Sequence, residues 1–149
     1  MTTIREATFD DIADLERVRA LVRENKLSTP IPRERIVAAL EARGRGWVAV
    51  SDGEVVGFSM ADREESSIWA LFLLPEWEGR GLGRRLLDTA VGWLRAQGHH
   101  TIWLSTGAGT RAEGFYEHLG WRRTGVTASG EVRFELRGEP PDRLPRPQG

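Results

Sequence analysis

The amino-acid sequence predicts an α/β (α+β) domain, and three observations carry that prediction. The apolar run Ser67-Ile68-Trp69-Ala70-Leu71-Phe72-Leu73-Leu74 reads as a strand, and a glycine-rich turn joins it to a segment with Leu82, Leu86, Leu87, Ala90, Val91 and Leu94 at helical spacing. Apolar segments flank Ser51-Asp52-Gly53-Glu54, a hairpin signal. Strand-like and helix-like runs then alternate to residue 137, giving the order β-α-α-β-β-β-α-β-α-β-β.

Each element has its own signal. Residues 4–7 form a short first strand, and Thr8-Phe9-Asp10-Asp11 has the form of a capping box for the helix behind it. Ile12, Leu15, Val18, Leu21 and Val22 fall on one face of that helix, which residues 25–30 end. Pro32 suits the first turn of a second helix that carries Ile36, Val37 and Leu40 inward and stops at Gly44 and Gly46. Residues 47–50 and 55–60 are the hairpin strands. The helix after the glycine turn runs to about Gln97, where Gly98 stops it. Residues 101–105 read as a buried strand, followed by a glycine-broken loop, a helix around Tyr116 and two strands turning at Ser129-Gly130. Pro140, Pro141, Pro145 and Pro147 with charged neighbours predict a disordered tail, so the folded domain is expected over residues 1–137 and the tail over 138–149.

Composition excludes several functions. A chain of 149 residues, 40% hydrophobic, can fill one normal core. Its formal net charge of −1 argues against nucleic acid as a main partner. With no cysteine, disulfides, thiolate catalysis and cysteine metal sites are excluded. His99, His100 and His118 show no ligand spacing, so no metal site is expected. No apolar run approaches the ~20 residues of a membrane span, and the first residues lack a signal peptide's apolar segment. A cytoplasmic chain without a membrane partner is the expectation.

The turn Glu78-Gly79-Arg80-Gly81-Leu82-Gly83-Arg84-Arg85 carries the chemistry. The first N–H groups of a helix lack intrahelical acceptors and carry partial positive charge, so they hold an anion where no Cβ blocks the approach. A P-loop would need Gly-Lys where Arg84 and Arg85 stand. The dinucleotide fingerprint would need its last glycine at Arg84 or Leu86. What remains resembles the pyrophosphate loop of the GNAT superfamily of acyl-CoA N-acyltransferases, Gln/Arg-x-x-Gly-x-Gly/Ala. The preceding Leu71-Phe72-Leu73-Leu74-Pro75-Glu76 is similar to that family's strand end, and Arg111-Ala112-Glu113-Gly114-Phe115-Tyr116-Glu117-His118-Leu119-Gly120-Trp121 to its Ala-x-x-Phe-Tyr-x-x-x-Gly-Phe/Trp segment. The resemblance spans roughly residues 3 to 137.

This resemblance implies a mixed central sheet of about seven strands flanked by four helices, and acetyl-CoA as co-substrate. It assigns the pyrophosphate to backbone from Gly79 through Arg80, Gly81, Leu82 and Gly83 to Arg84, and the pantetheine arm to backbone of Leu71, Phe72 and Leu73. Tyr116 is implied as general acid toward the leaving thiolate. Direct transfer to a primary amine is expected, because no residue offers a covalent relay. Three positions depart from the pattern: Glu78 replaces Gln or Arg, Gly109 replaces an asparagine, and Ser105 stands where the protein N-terminus branch has a glutamate. The general base is not identified by the sequence: Glu24, Asp62, Glu64 and Glu65 are candidates, and each reads first as a surface carboxylate. Trp47, Trp103 and Trp121 read as core, Trp69 as a wall of an acceptor pocket, and Thr110 as a helix N-cap. The expected acceptor is a small-molecule amine, with a protein lysine or N-terminus and a non-catalytic CoA-binding module as alternatives. Pairing of C-terminal edge strands into a homodimer is also implied.

Overall fold

The computed structural model describes residues 2–22 and 32–138. The predicted helix end at residues 25–30, the candidate Glu24 and the proline-rich tail beyond Gly138 lie outside the described residues. One mixed sheet holds seven strands in the order β1-β2-β3-β4-β5-β7-β6. They are β1 (Thr2–Glu6), β2 (Gly44–Ser51), β3 (Glu54–Asp62), β4 (Ser67–Leu73), β5 (Thr101–Thr106), β6 (Arg122–Val126) and β7 (Val132–Arg137). Neighbours pair antiparallel except β4 with β5. Asp52 and Gly53 both have positive φ, 51° and 81°, the backbone a two-residue turn needs to match the twist of β2 and β3.

Among the described residues, four α-helices cover the sheet: α1 (Ile12–Leu21), α2 (Arg33–Ala38), α3 (Leu82–Ala96) and α4 (Arg111–His118). Helix α3 buries Leu82, Leu86, Leu87, Ala90 and Leu94, the stripe its spacing prescribes. With Ile102 and Phe134 these residues belong to the buried core, to which Phe58 and Met60 add from the opposite face of the sheet. On α1, Ile12, Leu15 and Val18 are buried, but Leu21 is exposed because the helix ends there. Ahead of α1, the carboxylate of Asp11 accepts the backbone N–H of Thr8 at 2.8 Å and two guanidinium hydrogen bonds from Arg5 at 2.9 Å. The bond from Arg5 holds the Asp11 carboxyl below the usual carboxylate range.

Strand ends move by a few residues, as β1 at Thr2–Glu6 shows, and the α2–β2 junction differs from the sequence reading in kind. Helix α2 continues as a π-turn over Ala39–Arg43 instead of running unchanged to a stop. Gly44 and Gly46 then belong to β2 and are not helix stops. They pair with Asp62 and Met60, and a Cβ at Gly44 would overlap the carbonyl oxygen of Ala61. The glycine there serves close strand approach, which sequence alone does not separate from helix termination.

Candidate active site

Strands β4 and β5 meet at a single pair, Ser67 with Trp103, where the Trp103 N–H donates to the Ser66 carbonyl at 3.0 Å. Beyond that vertex they part. Strand β4 stays paired to β3 as far as Leu73, while among the described residues no strand pairs with its other edge after Ser67. A cavity of about 410 Å³ fills the gap. A bulge sits beside it: Met60 opposes Ala70 and Ala61 opposes Ile68, leaving Trp69 as the extra residue.

Strand alternation sorts the walls onto two faces. Ile102 and Leu104 are buried on the face that α3 and α4 cover, and Tyr116 of α4 packs 5.8 Å from Phe134, the cross-strand partner of Leu104. Trp103 and Ser105 therefore face the other way, toward α1 and α2. Arg133, opposite Ser105, lies over the Trp103 ring at 4.3 Å. Two residues earlier, Glu131 is on the same face and accepts a hydrogen bond from the Ser105 hydroxyl at 2.7 Å. Arg35 of α2 lies 4.1 Å over the Trp69 ring, and Arg19 of α1 lies 4.9 Å over Phe72. Burial lowers the pKa of Arg19. Ser67, 1% exposed, lines the cavity with a hydroxyl that has no hydrogen-bond partner among the described residues.

Tyr116 lines the cavity from the opposite face. Its ring is buried against Phe115, Trp121 and Phe134, with centroids 5.2 to 5.8 Å away, and burial pushes its phenol well above the ordinary tyrosine pKa. Leu71 and Phe72 line the same cavity. The segment from Gly79 to Arg84 is a separate patch at the α3 N-terminus. Gly79 and Gly81 have φ of 79° and 83°, a left-handed conformation costly for any residue with a Cβ, and a Cβ on either would meet nothing within 4 Å. The patch is open to an incoming group. Gly83 sets the helix end against Leu73 and Phe115. Leu82 has a buried side chain, so only its backbone faces the patch. Arg80 lies 4.5 Å over Trp77 and Arg84 stands 3.6 Å from Asp88. The Glu78 carboxylate turns to Arg111 at the start of α4.

Several sequence expectations change. Trp103 is not core: it is half-buried in the cavity wall, and its indole N–H donates to the Glu65 carbonyl at 2.9 Å. Trp69 lines the cavity, but Arg35 covers its ring, so the wall presented there is a guanidinium plane. Thr110 occupies the N-cap position of α4 without capping by its side chain; its hydroxyl donates to the Gly107 carbonyl at 2.8 Å. Gly109 has φ of 76°, and asparagine also tolerates that region, which gives the departure a backbone reason. Asp62 accepts the N–H groups of Glu64 and Glu65 and pairs with Arg43, so it holds a turn. Glu65 lines the cavity, with its carboxylate 3.1 Å from Arg43. Sequence reasoning missed Glu131, Ser67 and the two arginines. Only the register of β5 on β7 brings Glu131 to the site, whereas alternation with Ile102 and Leu104 was a usable signal for Trp103 and Ser105.

Fold and site define an α/β protein that opens a parallel strand pair beside a glycine-lined helix N-terminus. The chain belongs to the acetyltransferase (GNAT) family, whose model matches residues 9–121. An uncharacterized N-acetyltransferase of Archaeoglobus fulgidus is 31% identical over 85% of this chain and 97% of its own. An aminoglycoside N(6')-acetyltransferase type 1 of Stenotrophomonas maltophilia is 28% identical over 89% and 90%. The ribosomal protein bS18-alanine N-acetyltransferase of Haemophilus influenzae is 24% identical over 52% of this chain, which spans 54% of that relative's length. Among solved structures, the PaiA N-acetyltransferase of Thermoplasma acidophilum, crystallised with coenzyme A, superposes with a TM-score of 0.79 at 16% identity, covering 92% of this chain and 99% of that one.

Proposed function

We propose that this chain transfers an acetyl group from acetyl-CoA to a primary amine of a small molecule, directly and within a ternary complex. The observation that carries the reading is the parted β4–β5 pair with its two chemically different faces. The residues fit the co-substrate. The unpaired edge of β4 suits an extended arm bearing amides, which adds as a further strand through backbone of Leu71, Phe72 and Leu73. The open helix end from Gly79 to Arg84 suits a pyrophosphate. Acetyl-CoA supplies an activated acyl group and a thiolate leaving group.

Tyr116 acts on the thiolate side. A free thiol titrates near ~8.5 and a free phenol near ~10, so full proton transfer from tyrosine is uphill. Burial makes it more so. The hydroxyl therefore works chiefly as a hydrogen-bond donor to the developing sulfur charge, in a site where low dielectric strengthens that bond.

A small-molecule acceptor is favoured because the aminoglycoside-acetylating relative aligns along nearly the whole chain, while the relative that acetylates a ribosomal alanine aligns along half. Thiol release from acetyl-CoA against amino acids, polyamines, aminoglycosides and peptides tests this. Turnover confined to peptides would transfer the reading to a protein amine, and CoA binding without turnover would leave a binding module. We also propose pairing of two copies through the open β6 edge, measured by sedimentation.

A further inference from the structure

Resting on that reading, we infer that Glu131 is the general base, taking the proton of the acceptor ammonium on the α1–α2 face of the cleft. Three observations converge. Glu131 lines the same cavity as Tyr116 but from the opposite face, which separates the group that receives a proton from the group that serves the thiolate. Its carboxylate is aimed by the Ser105 hydroxyl at 2.7 Å, which leaves the second oxygen for a substrate N–H. Its backbone is fixed at both ends of a tight turn: the Glu131 N–H donates to the Thr127 hydroxyl at 3.1 Å, and the Thr127 N–H donates to the Glu131 carbonyl at 2.8 Å. A base held this way loses little freedom on use.

The other charged groups around it are accounted for. Arg19 and Arg35 enter the cavity from α1 and α2 and bear no basic lone pair at neutral pH. Among the described residues, Glu65 is the other carboxylate lining the cavity, and it is committed to Arg43. Arg133 and Glu135, farther along β7, pair with each other at 3.3 Å. Tyr116 stays protonated.

The step balances without a further reactant. The ammonium gives one proton to Glu131, the freed lone pair forms the N–C bond, and the C–S bond breaks with its electron pair leaving on sulfur. The nitrogen sheds a second proton to water, the thiolate held by the Tyr116 hydrogen bond takes one up from water, and Glu131 returns its proton to water.

The test compares wild type, Glu131→Gln, Glu131→Asp and Glu65→Gln, using acetyl-CoA and the fastest amine of the panel, from pH 5 to 10. Gln can still accept from Ser105, so melting temperature and CoA-induced stabilisation should hold. Glu131→Gln should lower kcat/KM at pH 7 by about 100-fold. It should also replace the wild-type plateau with a rate that climbs about tenfold per pH unit toward the pKa of the amine, because only free amine then reacts. Glu131→Asp should recover part of the plateau, and Glu65→Gln should keep it. Loss of less than about threefold in Glu131→Gln with the plateau intact overturns the assignment, as does transfer of the plateau's loss to Glu65→Gln. Failure of the wild type to turn over any amine instead removes the enzyme reading, and the base with it.

Discussion

In the proposed mechanism Tyr116 and Glu131 work from opposite faces of the cavity, and burial shapes what Tyr116 can do there. A buried phenol is a poorer acid, yet a neutral donor in a low-dielectric cluster is well suited to stabilising charge that forms during reaction. Tyr116→Phe removes only the hydroxyl and leaves the packing on Trp121 and Phe134. Steady-state kinetics should show kcat reduced about 10- to 100-fold, with CoA affinity and melting temperature held. Equal loss of CoA affinity and rate would instead make the hydroxyl a cofactor contact. Bonded to Arg5 of the edge strand β1, Asp11 gives a pH signature. Its pKa is depressed in the folded chain, first by the hydrogen bond from Arg5, so the stability it contributes is complete above the unfolded value near ~3.9 and is lost as pH falls through the lower folded value. Arg5 is half-exposed, so screening limits the effect. Asp11→Asn should cost about 1–2 kcal/mol at pH 7 by denaturant unfolding and flatten the wild-type decline below pH 4. An unchanged acid limb would show that another carboxylate dominates it.

Elements were legible in the sequence where a local pattern decides them. The apolar stripe of α3, the left-handed pair Asp52-Gly53 and the glycines at the α3 N-terminus each follow from neighbouring residues, and each stands where the pattern puts it. Elements decided by contacts distant in sequence were not. Gly44 punctuates a helix pattern, yet its lack of a Cβ answers Ala61 across a strand pair. The bulge at Trp69 leaves no residue signature and appears only in the pairing of β3 with β4, although it sets which side of the sheet Trp69 serves. The candidate site divides the same way. Its cofactor half is a contiguous stretch from Leu71 to Arg84 and could be read from the resemblance. Its proposed acceptor half is assembled from α1, α2, β5 and the turn before β7, so nothing local in the sequence singles out Glu131, which the β5–β7 register brings beside Ser105.

At the scale of the whole molecule, the sheet is interrupted where the proposed cofactor enters, and a ligand that completes it should stabilise the fold as well as occupy it. Antiparallel pairing runs from β1 to β4 and again from β5 through β7 to β6, and the two parts join through one residue pair at the vertex. Among the described residues no strand pairs with the edge of β4 beyond Ser67, which faces the cavity. An arm bonded along that edge binds the folded chain and not the unfolded one, which at ~100-fold over Kd is worth about 2.7 kcal/mol. For a chain of this size that raises the melting temperature by about 5–11 °C. The location of the effect is more telling than its size. Hydrogen exchange should slow at Leu71 to Leu73 and at residues 79–84 when CoA is added, while β1 and the hairpin between β2 and β3 stay unchanged. Pantetheine alone should protect the β4 edge without the α3 N-terminus, and inorganic pyrophosphate the reverse. Uniform protection across the sheet would mean that CoA stabilises the chain without bridging the parted strands, and the proposed mode of binding would have to be abandoned.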